Sequence, residues 1–218
     1  MRLNLSRLHF PVSALGPGNR IGIWFQGCSI RCPGCISVDT WEPSRGETTV
    51  DAALSQIVEW LPQADGVTIS GGEPFDQIEA LHALLSSIRQ RFVGDILVYS
   101  GYSRNKLQIT KFESLIDALI VEPFDNSAPQ TLALRGSDNQ TILLLTDLGR
   151  RRFAAYDRAS QDSDKTLDVM FDSESGVFWL AGIPRRGDLL ALRNLLGQYG
   201  HKITTSEYKN SADEHSRY

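Results

Sequence analysis

The stretch Cys28-Ser29-Ile30-Arg31-Cys32-Pro33-Gly34-Cys35 contains every cysteine of this 218-residue chain. Three thiolates at this spacing can converge on one soft metal centre, because sulfur ligands favour zinc, copper(I) and iron–sulfur clusters over hard cations. A structural zinc site needs a fourth ligand, but the sequence has no fourth cysteine and its four histidines are scattered. A 4Fe–4S cluster held by Cys28, Cys32 and Cys35 would leave one iron open to a small molecule.

Two other interpretations of the three cysteines stay open on spacing alone. A zinc knuckle that has lost one ligand would show the same short spacings. A disulfide is less consistent with the sequence, because the count is odd and close cysteines in a chain without a secretory signature are typical of metal ligands. Thiolate ligands require a reducing compartment, so we expect a cytoplasmic protein.

The composition describes an ordinary soluble domain, with 41% hydrophobic and 22% charged residues. That content is sufficient for a substantial core. The net charge is −4 and no run of lysine or arginine occurs, so nothing indicates binding to nucleic acid. No apolar stretch approaches membrane-spanning length and Met1-Arg2-Leu3-Asn4 does not open a signal peptide, so no membrane partner is expected.

Short apolar runs separated by helix-length segments predict a parallel sheet covered by helices. Strands are predicted at 2–8, 20–25, 66–70, 95–99, 118–121 and 141–145. Helices are predicted after a cap at Thr48 or Thr49, after a capping box formed by Asp76 and Glu79, and more weakly from Arg104 to Leu115.

The predicted strand–helix units are too few to close an eight-stranded barrel, so we expect an open or partial β/α barrel. Functional residues of such folds gather beyond the carboxyl ends of the strands. The cysteine loop, Gly71–Pro74 and Ser100–Tyr102 all follow predicted strands and should therefore meet.

The pattern changes from Lys165 onward. Two apolar runs, 167–171 and 177–181, flank a short polar segment and predict a β-hairpin, and a leucine-rich helix follows Gly187. We predict a core domain over residues 1–164, a hairpin–helix extension over 165–203 and a flexible polar tail over 204–218. The extension could cover an open sheet edge or dock a partner protein.

A second motif, Gly71-Gly72-Glu73-Pro74, follows the strand predicted at 66–70. By itself the motif is typical of a tight turn from a strand into a helix. Downstream of the cysteine triplet, however, it resembles the element with which radical S-adenosylmethionine (SAM) enzymes bind the amino group of SAM. Glycines let a ligand approach the backbone, whose carbonyls accept from an ammonium, and Glu73 adds negative charge.

Within that superfamily the chain resembles the activating enzymes of anaerobic (class III) ribonucleotide reductases, a branch of the glycyl-radical-enzyme activases. The resemblance rests on Phe25-Gln26-Gly27-Cys28, Cys32-Pro33-Gly34-Cys35, Val98-Tyr99-Ser100-Gly101-Tyr102 and the segment Leu134–Gln140, which is similar to the family's RGS-x-NQ. Gly34 matches this branch, whereas Glu122-Pro123 stands where the branch carries Asp-Gly.

The resemblance implies a partial (β/α)6 radical SAM barrel in which a reduced 4Fe–4S cluster cleaves SAM to a 5′-deoxyadenosyl radical. In an activase, that radical generates a glycyl radical on a large partner enzyme, and a flavodoxin or ferredoxin would donate the electron. No catalytic residue beyond the cluster and SAM is implied. The SAM contacts implied are Gly71, Gly72, Glu73, Pro74, Ser100, Arg135, Ser137 and Asn139.

Some alternatives stay open. Ser100 beside Gly101, and the segment from Arg135 to Asn139, also have the composition of simple turns. With no further cysteine, an auxiliary cysteine-bound cluster is excluded. The second hypothesis is a single-cluster radical SAM enzyme that modifies a small molecule, nucleotide or peptide. A third is a non-catalytic iron–sulfur or zinc protein, in which Gly71–Pro74 would have no role.

Overall fold

The computed structural model of the chain describes residues 1–172 and 177–201. Its strands in chain order are β1 (Arg2–Val12), β2 (Arg20–Phe25), β3 (Glu47–Thr49), β4 (Gly66–Gly71), β5 (Asp95–Tyr99), β6 (Ala118–Val121), β7 (Thr141–Leu144), β8 (Leu167–Asp172) and β9 (Val177–Gly182). Its α-helices are α1 (Val50–Ile57), α2 (Ile78–Arg89), α3 (Asp147–Phe153) and α4 (Asp188–Gln198).

The larger sheet has seven strands in the order β3-β1-β2-β4-β5-β6-β7. Its centre is parallel, since β2, β4, β5 and β6 pair in the same direction. These strands are apolar on both faces, as buried parallel strands usually are. The predicted α/β class with a largely parallel sheet is confirmed.

Strand β7 runs antiparallel to β6, contrary to the uniformly parallel arrangement predicted for it. A parallel connection needs a crossover long enough to return the chain to the opposite edge, usually through a helix. The segment between β6 and β7 contains Pro123 and Pro129 and forms no helix. Strand β7 therefore begins at the same end of the sheet at which β6 ends.

One predicted helix start and one predicted helix are wrong, whereas the helix predicted around Leu81–Ile88 is confirmed as α2. Pro74–Gln77 forms a 3-10 turn before α2 begins at Ile78, and the side chain of Asp76 bonds to another loop, so no capping box forms with Glu79. The predicted helix from Arg104 to Leu115 reduces to two isolated 3-10 turns. Leu107 between them is extended and interrupts the helix.

The two faces of the sheet carry separate parts of the core. Helices α1 and α2 cover one face, where Ile57, Leu81, Leu84 and Ile88 pack fully buried. The opposite face carries a cluster of five buried residues, of which Phe153 belongs to α3. The five are Leu97, Ala118, Ile120, Leu134 and Phe153.

Strands β8 and β9 form the predicted hairpin as a separate two-stranded sheet, and α4 follows it. Met170 and Ala181 are buried against Val12 and Trp24 of the larger sheet and against Leu15 in the loop between β1 and β2. The predicted tail, 204–218, lies outside the described residues, as does the hairpin segment 173–176. Among the described residues, no helix has both the length and the hydropathy needed to cross a membrane.

Candidate functional site

Three loops leave neighbouring strands at the same edge of the sheet and lie together. In the pairing of β2 with β4, Phe25 is opposite Gly71, so the cysteine loop and the Gly71–Pro74 loop start side by side. The Gly72 amide donates to the Phe25 carbonyl at 2.9 Å, and the Glu73 amide donates to the Gly27 carbonyl at 2.8 Å. The loop after β5 joins them through the Gly101 amide, which donates to Glu73 Oε2 at 2.7 Å.

The cysteine loop is a compact, non-helical bend. The Cys28 amide donates to the Trp41 carbonyl at 3.2 Å, and the Cys35 amide donates to the Cys32 carbonyl at 3.1 Å. Gly34 has a φ of 75° and Arg31 a φ of 52°, which is unusual for a residue with a side chain. The bend places all three cysteines, which are free thiols, at partly exposed positions of one surface.

Burial raises the pKa of each thiol, and it raises the pKa of Cys35 to about 11. The charges of Glu73 and Asp76 raise the pKa of Cys28 further. Metal ligation needs thiolates, so cluster assembly here must release protons and needs the positive charge of the metal to hold the sulfurs ionised.

Among residues 1–172 and 177–201, no group of three or more His, Cys, Asp or Glu side chains is arranged to hold a single metal ion. A tetrahedral zinc site would bring each thiolate within about 2.3 Å of one common point. A cubane places its ligand sulfurs on different irons and so keeps them further apart. A zinc site and a cluster therefore differ in the separation that they require between the three sulfurs.

Position 72 has room only for glycine, because the cysteine loop packs against it. A Cβ on Gly72 would lie 2.0 Å from the carbonyl oxygen of Gly27 and 2.9 Å from that of Thr40. The left-handed residue of the motif is its neighbour Gly71, whose φ is 106°. The two glycines thus bring the backbones of two loops into contact, and any larger residue at position 72 would push them apart.

Glu73 is the buried acid of the site, with 1% of its surface exposed. Its Oε1 accepts from the Phe75 amide and from the Ser100 hydroxyl, both at 2.9 Å. Burial raises the pKa of Glu73 to about 7, and the hydrogen bonds oppose that rise. Oε2, which accepts from the Gly101 amide, retains acceptor capacity for a cationic ligand.

Ser100 acts on the site through Glu73. Its hydroxyl donates to that carboxyl and also accepts from the Tyr102 amide at 3.1 Å. Pro74 is buried at the start of the 3-10 turn and gives that turn its fixed φ. Both residues shape the loops around Glu73, and their predicted direct contact with SAM stays a prediction.

Asp76 joins all three loops and was missed as a site residue. Its carboxylate accepts from the Ser29 amide at 2.7 Å, from the Ser29 hydroxyl at 2.9 Å and from the Tyr102 hydroxyl at 2.6 Å. In the sequence, Asp76 looks like a helix cap, because its partners are distant along the chain. Only the adjacency of the strand ends could have indicated its role.

Arg135 is buried, with 2% of its surface exposed. Its Nη2 donates to Asp157 at 2.6 Å, but its Nε and Nη1 are buried without a hydrogen-bond partner. Burying unsatisfied donors of a charged group is costly, so the site suits an incoming acceptor such as a carboxylate. Leu134, just before it, has a φ of 58°.

Ser137 and Asn139 contact the segment that follows β6. The Ser137 hydroxyl accepts from the Asp125 amide at 3.1 Å, and the Asn139 side chain donates to the Pro123 carbonyl at 2.8 Å. Gln140 also donates to the Glu122 carbonyl at 3.2 Å. The RGS-x-NQ-like segment therefore braces this loop, and a direct contact of Ser137 or Asn139 with SAM stays a prediction.

Residues 14–143 match the protein family described as "4Fe-4S single cluster domain". The chain belongs to that family. The match spans the cysteine loop, Gly71–Pro74 and the segment that contains Arg135, and so covers every residue predicted for the site. The prediction of a single 4Fe–4S cluster as cofactor is confirmed, and activase relatives support SAM as the second.

Curated relatives of this member of the 4Fe–4S single cluster family are activating proteins. The anaerobic ribonucleoside-triphosphate reductase-activating protein of Enterobacteria phage T4 is 27% identical over 150 residues, which cover 66% of this chain and 96% of that protein. The protein of the same name from Escherichia coli K12 is 30% identical over 145 residues, covering 62% and 94%.

The pyruvate formate-lyase-activating enzyme of Staphylococcus aureus USA300 is 35% identical over 143 residues, which cover 59% of this chain but only 55% of that enzyme. The predicted resemblance to radical SAM activases is thus confirmed.

The described residues fit both cofactors of the family. Three unbridged cysteines share one surface, two loops meet so closely at Gly72 that no side chain fits, and Arg135 has two buried donors without partners. Glu73 supplies a buried acceptor between the loops. The unpaired donors of Arg135 and the buried charge of Glu73 are costly without a ligand, and they are complementary to the two charged ends of a zwitterionic amino acid.

Proposed function

We propose that this protein cleaves SAM reductively at a 4Fe–4S cluster and uses the resulting radical to activate a partner glycyl-radical enzyme. The observation that carries the proposal is the junction of the cysteine loop with the Gly71–Pro74 loop, where the Glu73 amide donates to the Gly27 carbonyl at 2.8 Å. Through that contact, Gly27, which precedes Cys28, is bound to Glu73, whose carboxylate can bind an ammonium group.

Cys28, Cys32 and Cys35 would hold the cluster, and their loop leaves no fourth thiol for the remaining iron. Bound together, the cluster and SAM supply one-electron reduction of a sulfonium and release of a carbon radical. The chain's residues bind and orient these groups, so no further catalytic side chain is required.

Glu73 and Arg135 would bind the two charged ends of the methionine moiety. Glu73 is a buried acceptor that favours the ammonium, and it is oriented by Ser100 and by the Phe75 and Gly101 amides. Arg135 has unpaired Nε and Nη1 donors that favour a carboxylate. Gly71 and Gly72 leave the backbone uncovered where the ligand approaches.

The seven-stranded sheet would serve as a partial radical SAM barrel, with these loops at the carboxyl ends of its parallel strands. Residues 1–164 would form that core, and the β8–β9 hairpin with α4 would be an addition to it. Because the three thiols must stay reduced, we propose a cytoplasmic location. A flavodoxin or ferredoxin would reduce the cluster.

Partner activation is supported by the names of the relatives, whose partners are an anaerobic ribonucleoside-triphosphate reductase and pyruvate formate-lyase. The chain covers 94% of the Escherichia coli reductase activase but 55% of the Staphylococcus aureus enzyme. The reductase is therefore the partner class we propose. A glycine Cα–H of that partner would be the hydrogen source.

The test is anaerobic incubation of the reconstituted protein with SAM, a reductant and an anaerobic ribonucleotide reductase. We expect an electron paramagnetic resonance (EPR) doublet of a glycyl radical on the reductase, absent when Cys32→Ala replaces the parent. Deuterium placed on the reductase glycine should appear in 5′-deoxyadenosine. SAM cleavage without a protein radical would instead support the small-molecule, nucleotide or peptide alternative.

A further inference from the structure

The loop that follows β6 lies over the cysteine loop. A Cβ built on Gly34 would lie 3.0 Å from Cγ of Asn126, so the asparagine side chain rests directly on the cysteine loop. The backbone amide of Phe124 faces Cys32 and opposes the rise in its pKa. We call the segment 122–128 the cover loop, because it contacts the cysteine loop between Cys32 and Cys35.

One side of the cover loop is braced by the segment before β7, through Ser137, Asn139 and Gln140. Its start is strained, since Glu122 has a φ of 83°, a conformation that residues with a Cβ rarely adopt. A strained loop keeps its conformation only where surrounding contacts impose it.

The other side is held by Arg186, which lies in the C-terminal extension just after the hairpin. Its Nη2 donates to the Ala128 carbonyl at 2.6 Å and to the Asp125 carbonyl at 3.2 Å. Its guanidinium carbon lies 5.8 Å from the centre of the Phe124 ring. A nearby contact, from the Gln130 side chain to the Pro184 carbonyl at 2.9 Å, joins the same two segments.

We propose that Arg186 is a positioning residue for the cluster, which fixes the cover loop on Cys32 and Gly34 from the C-terminal extension. The inference rests on the proposed cluster site. It gives the extension a role in the radical chemistry beyond covering apolar surface. Hydrogen bonds and solvent exclusion around ligand sulfurs tune an iron–sulfur cluster, so a loosened cover loop changes both the electronic environment and the access of water.

The matched control is the adjacent arginine. Arg185 is also exposed and carries the same charge, but its side chain pairs with exposed Asp162 and its amide donates to Asp188 at 2.9 Å. Arg185→Met therefore removes a charge from the same extension without touching the cover loop. Arg186→Met keeps the aliphatic stem and loses the guanidinium whose Nη2 donates to both carbonyls.

The experiment uses the reconstituted protein and measures the rate at which a chelator removes iron, followed by absorbance. Without the hydrogen bonds of Arg186, the cover loop should open more often. We therefore expect Arg186→Met to lose its cluster about fivefold faster than the parent. Arg185→Met should match the parent. Arg186→Lys, which keeps the charge and can reach one carbonyl, should fall between.

A second readout separates positioning from general stability. The EPR spectrum of the reduced cluster should change in Arg186→Met and stay parent-like in Arg185→Met, since lower stability alone would not alter the spectrum of folded molecules. If Arg186→Met does not fold, Asn126→Ala removes the contact on Gly34 and leaves the extension intact, and it should show the same two changes.

Equal chelation rates and identical spectra in the parent, Arg186→Met and Asn126→Ala would overturn the inference. Failure of the parent itself to assemble a cluster would instead contradict the proposed function. The two failures are therefore distinguishable in one set of samples.

Discussion

The two ends of the parallel strands are built from opposite kinds of interaction. At the amino end, Arg20 is fully buried and fully paired: Nη2 lies 2.6 Å from Asp95, and Nε donates to Thr68 at 2.6 Å. The second oxygen of Asp95 accepts from Arg152 at 2.8 Å. Asp117, which precedes β6, is also buried and bound by Arg89, by Thr146 and by the Ile96 amide.

The carboxyl end has unpaired donors, strained backbone positions and ionisable groups whose charged forms burial disfavours. Arg135 has two buried donors without partners, Glu73 has a raised pKa and the three thiols are unbridged. The residues with a side chain and a positive φ in the described ranges, Arg31, Glu122 and Leu134, all lie in loops at this end.

The difference teaches where stability and function reside in this fold. Residues at the amino end of such strands serve stability, and those at the carboxyl end serve binding and catalysis. Strain and unmet polar groups persist only where the surrounding structure imposes them and a function uses them. We therefore expect substitutions at the amino end to change stability and those at the carboxyl end to change ligand binding.

The largest effect on stability is expected at the amino end. Asp95→Ala leaves Arg20 buried without its counter-ion, which should cost about 3–5 kcal/mol in the free energy of unfolding. Urea unfolding measures that cost. Glu47→Ala breaks the exposed pair with Arg2 and should change stability by less than about 0.5 kcal/mol. A cost below about 1 kcal/mol for Asp95→Ala would show that the buried pair with Arg20 does not stabilise the amino end.

At the carboxyl end, Gly72→Ala should cost about 1–3 kcal/mol, because the new methyl group meets the Gly27 carbonyl and separates the two loops. SAM affinity, measured by equilibrium dialysis on the reconstituted protein, should fall with it. Gly197→Ala is the control, since nothing lies within 4 Å of its added Cβ in α4, and helix propensity should make that variant more stable. Parent-like SAM binding in Gly72→Ala would show that the loop contact is dispensable.

The pKa of Glu73, raised to about 7 by burial, predicts a pH dependence of SAM binding. Below that pH the side chain is a neutral acid, and above it a carboxylate that attracts the SAM ammonium. Affinity should therefore rise as the pH passes upward through about 7. Glu73→Gln should bind more weakly at high pH and lose the dependence, while Glu79→Gln, on the exposed side of α2, should retain it. A flat profile in the parent would contradict the role of Glu73.

Only a small effect on stability is expected for Arg135→Met. Removing a buried guanidinium with two unpaired donors should change the free energy of unfolding by less than about 1 kcal/mol, in contrast to Asp95→Ala. SAM affinity should fall about tenfold, the value of one hydrogen bond to a charged group. Arg135→Lys should also bind less tightly, since it keeps the charge but loses the fork. A large loss of stability with unchanged SAM binding would make Arg135 a structural residue.

The sequence predicts those features of this molecule that local pattern determines. Strands β2, β4, β5 and β6 and the β8–β9 hairpin follow from continuous apolar runs, and the cysteine spacing indicates a cluster without any tertiary information. Features that depend on distant partners were not predictable. Asp76 looked like a helix cap, yet its partners Ser29 and Tyr102 lie 47 and 26 residues away.

The direction of β7 and the role of Arg186 could not be predicted for the same reason. Strand β7 has the apolar run of a parallel strand, and only the path of the cover loop decides that it runs back along β6. Arg186 belongs to a polar stretch of the extension, and its partners at Asp125 and Ala128 are about sixty residues distant, 61 and 58. Local pattern carries no information on such contacts.

The central claim is that the cysteine loop and the Gly71–Pro74 loop together form one site for a cluster and SAM. The most direct measurement is the yield of 5′-deoxyadenosine and methionine from anaerobically reconstituted, dithionite-reduced protein supplied with SAM. We predict equal amounts of both products from the parent, and none from Cys32→Ala, which should remain folded because its thiol is only half-buried. Stoichiometric zinc in place of iron, or equal product from Cys32→Ala, would contradict the account.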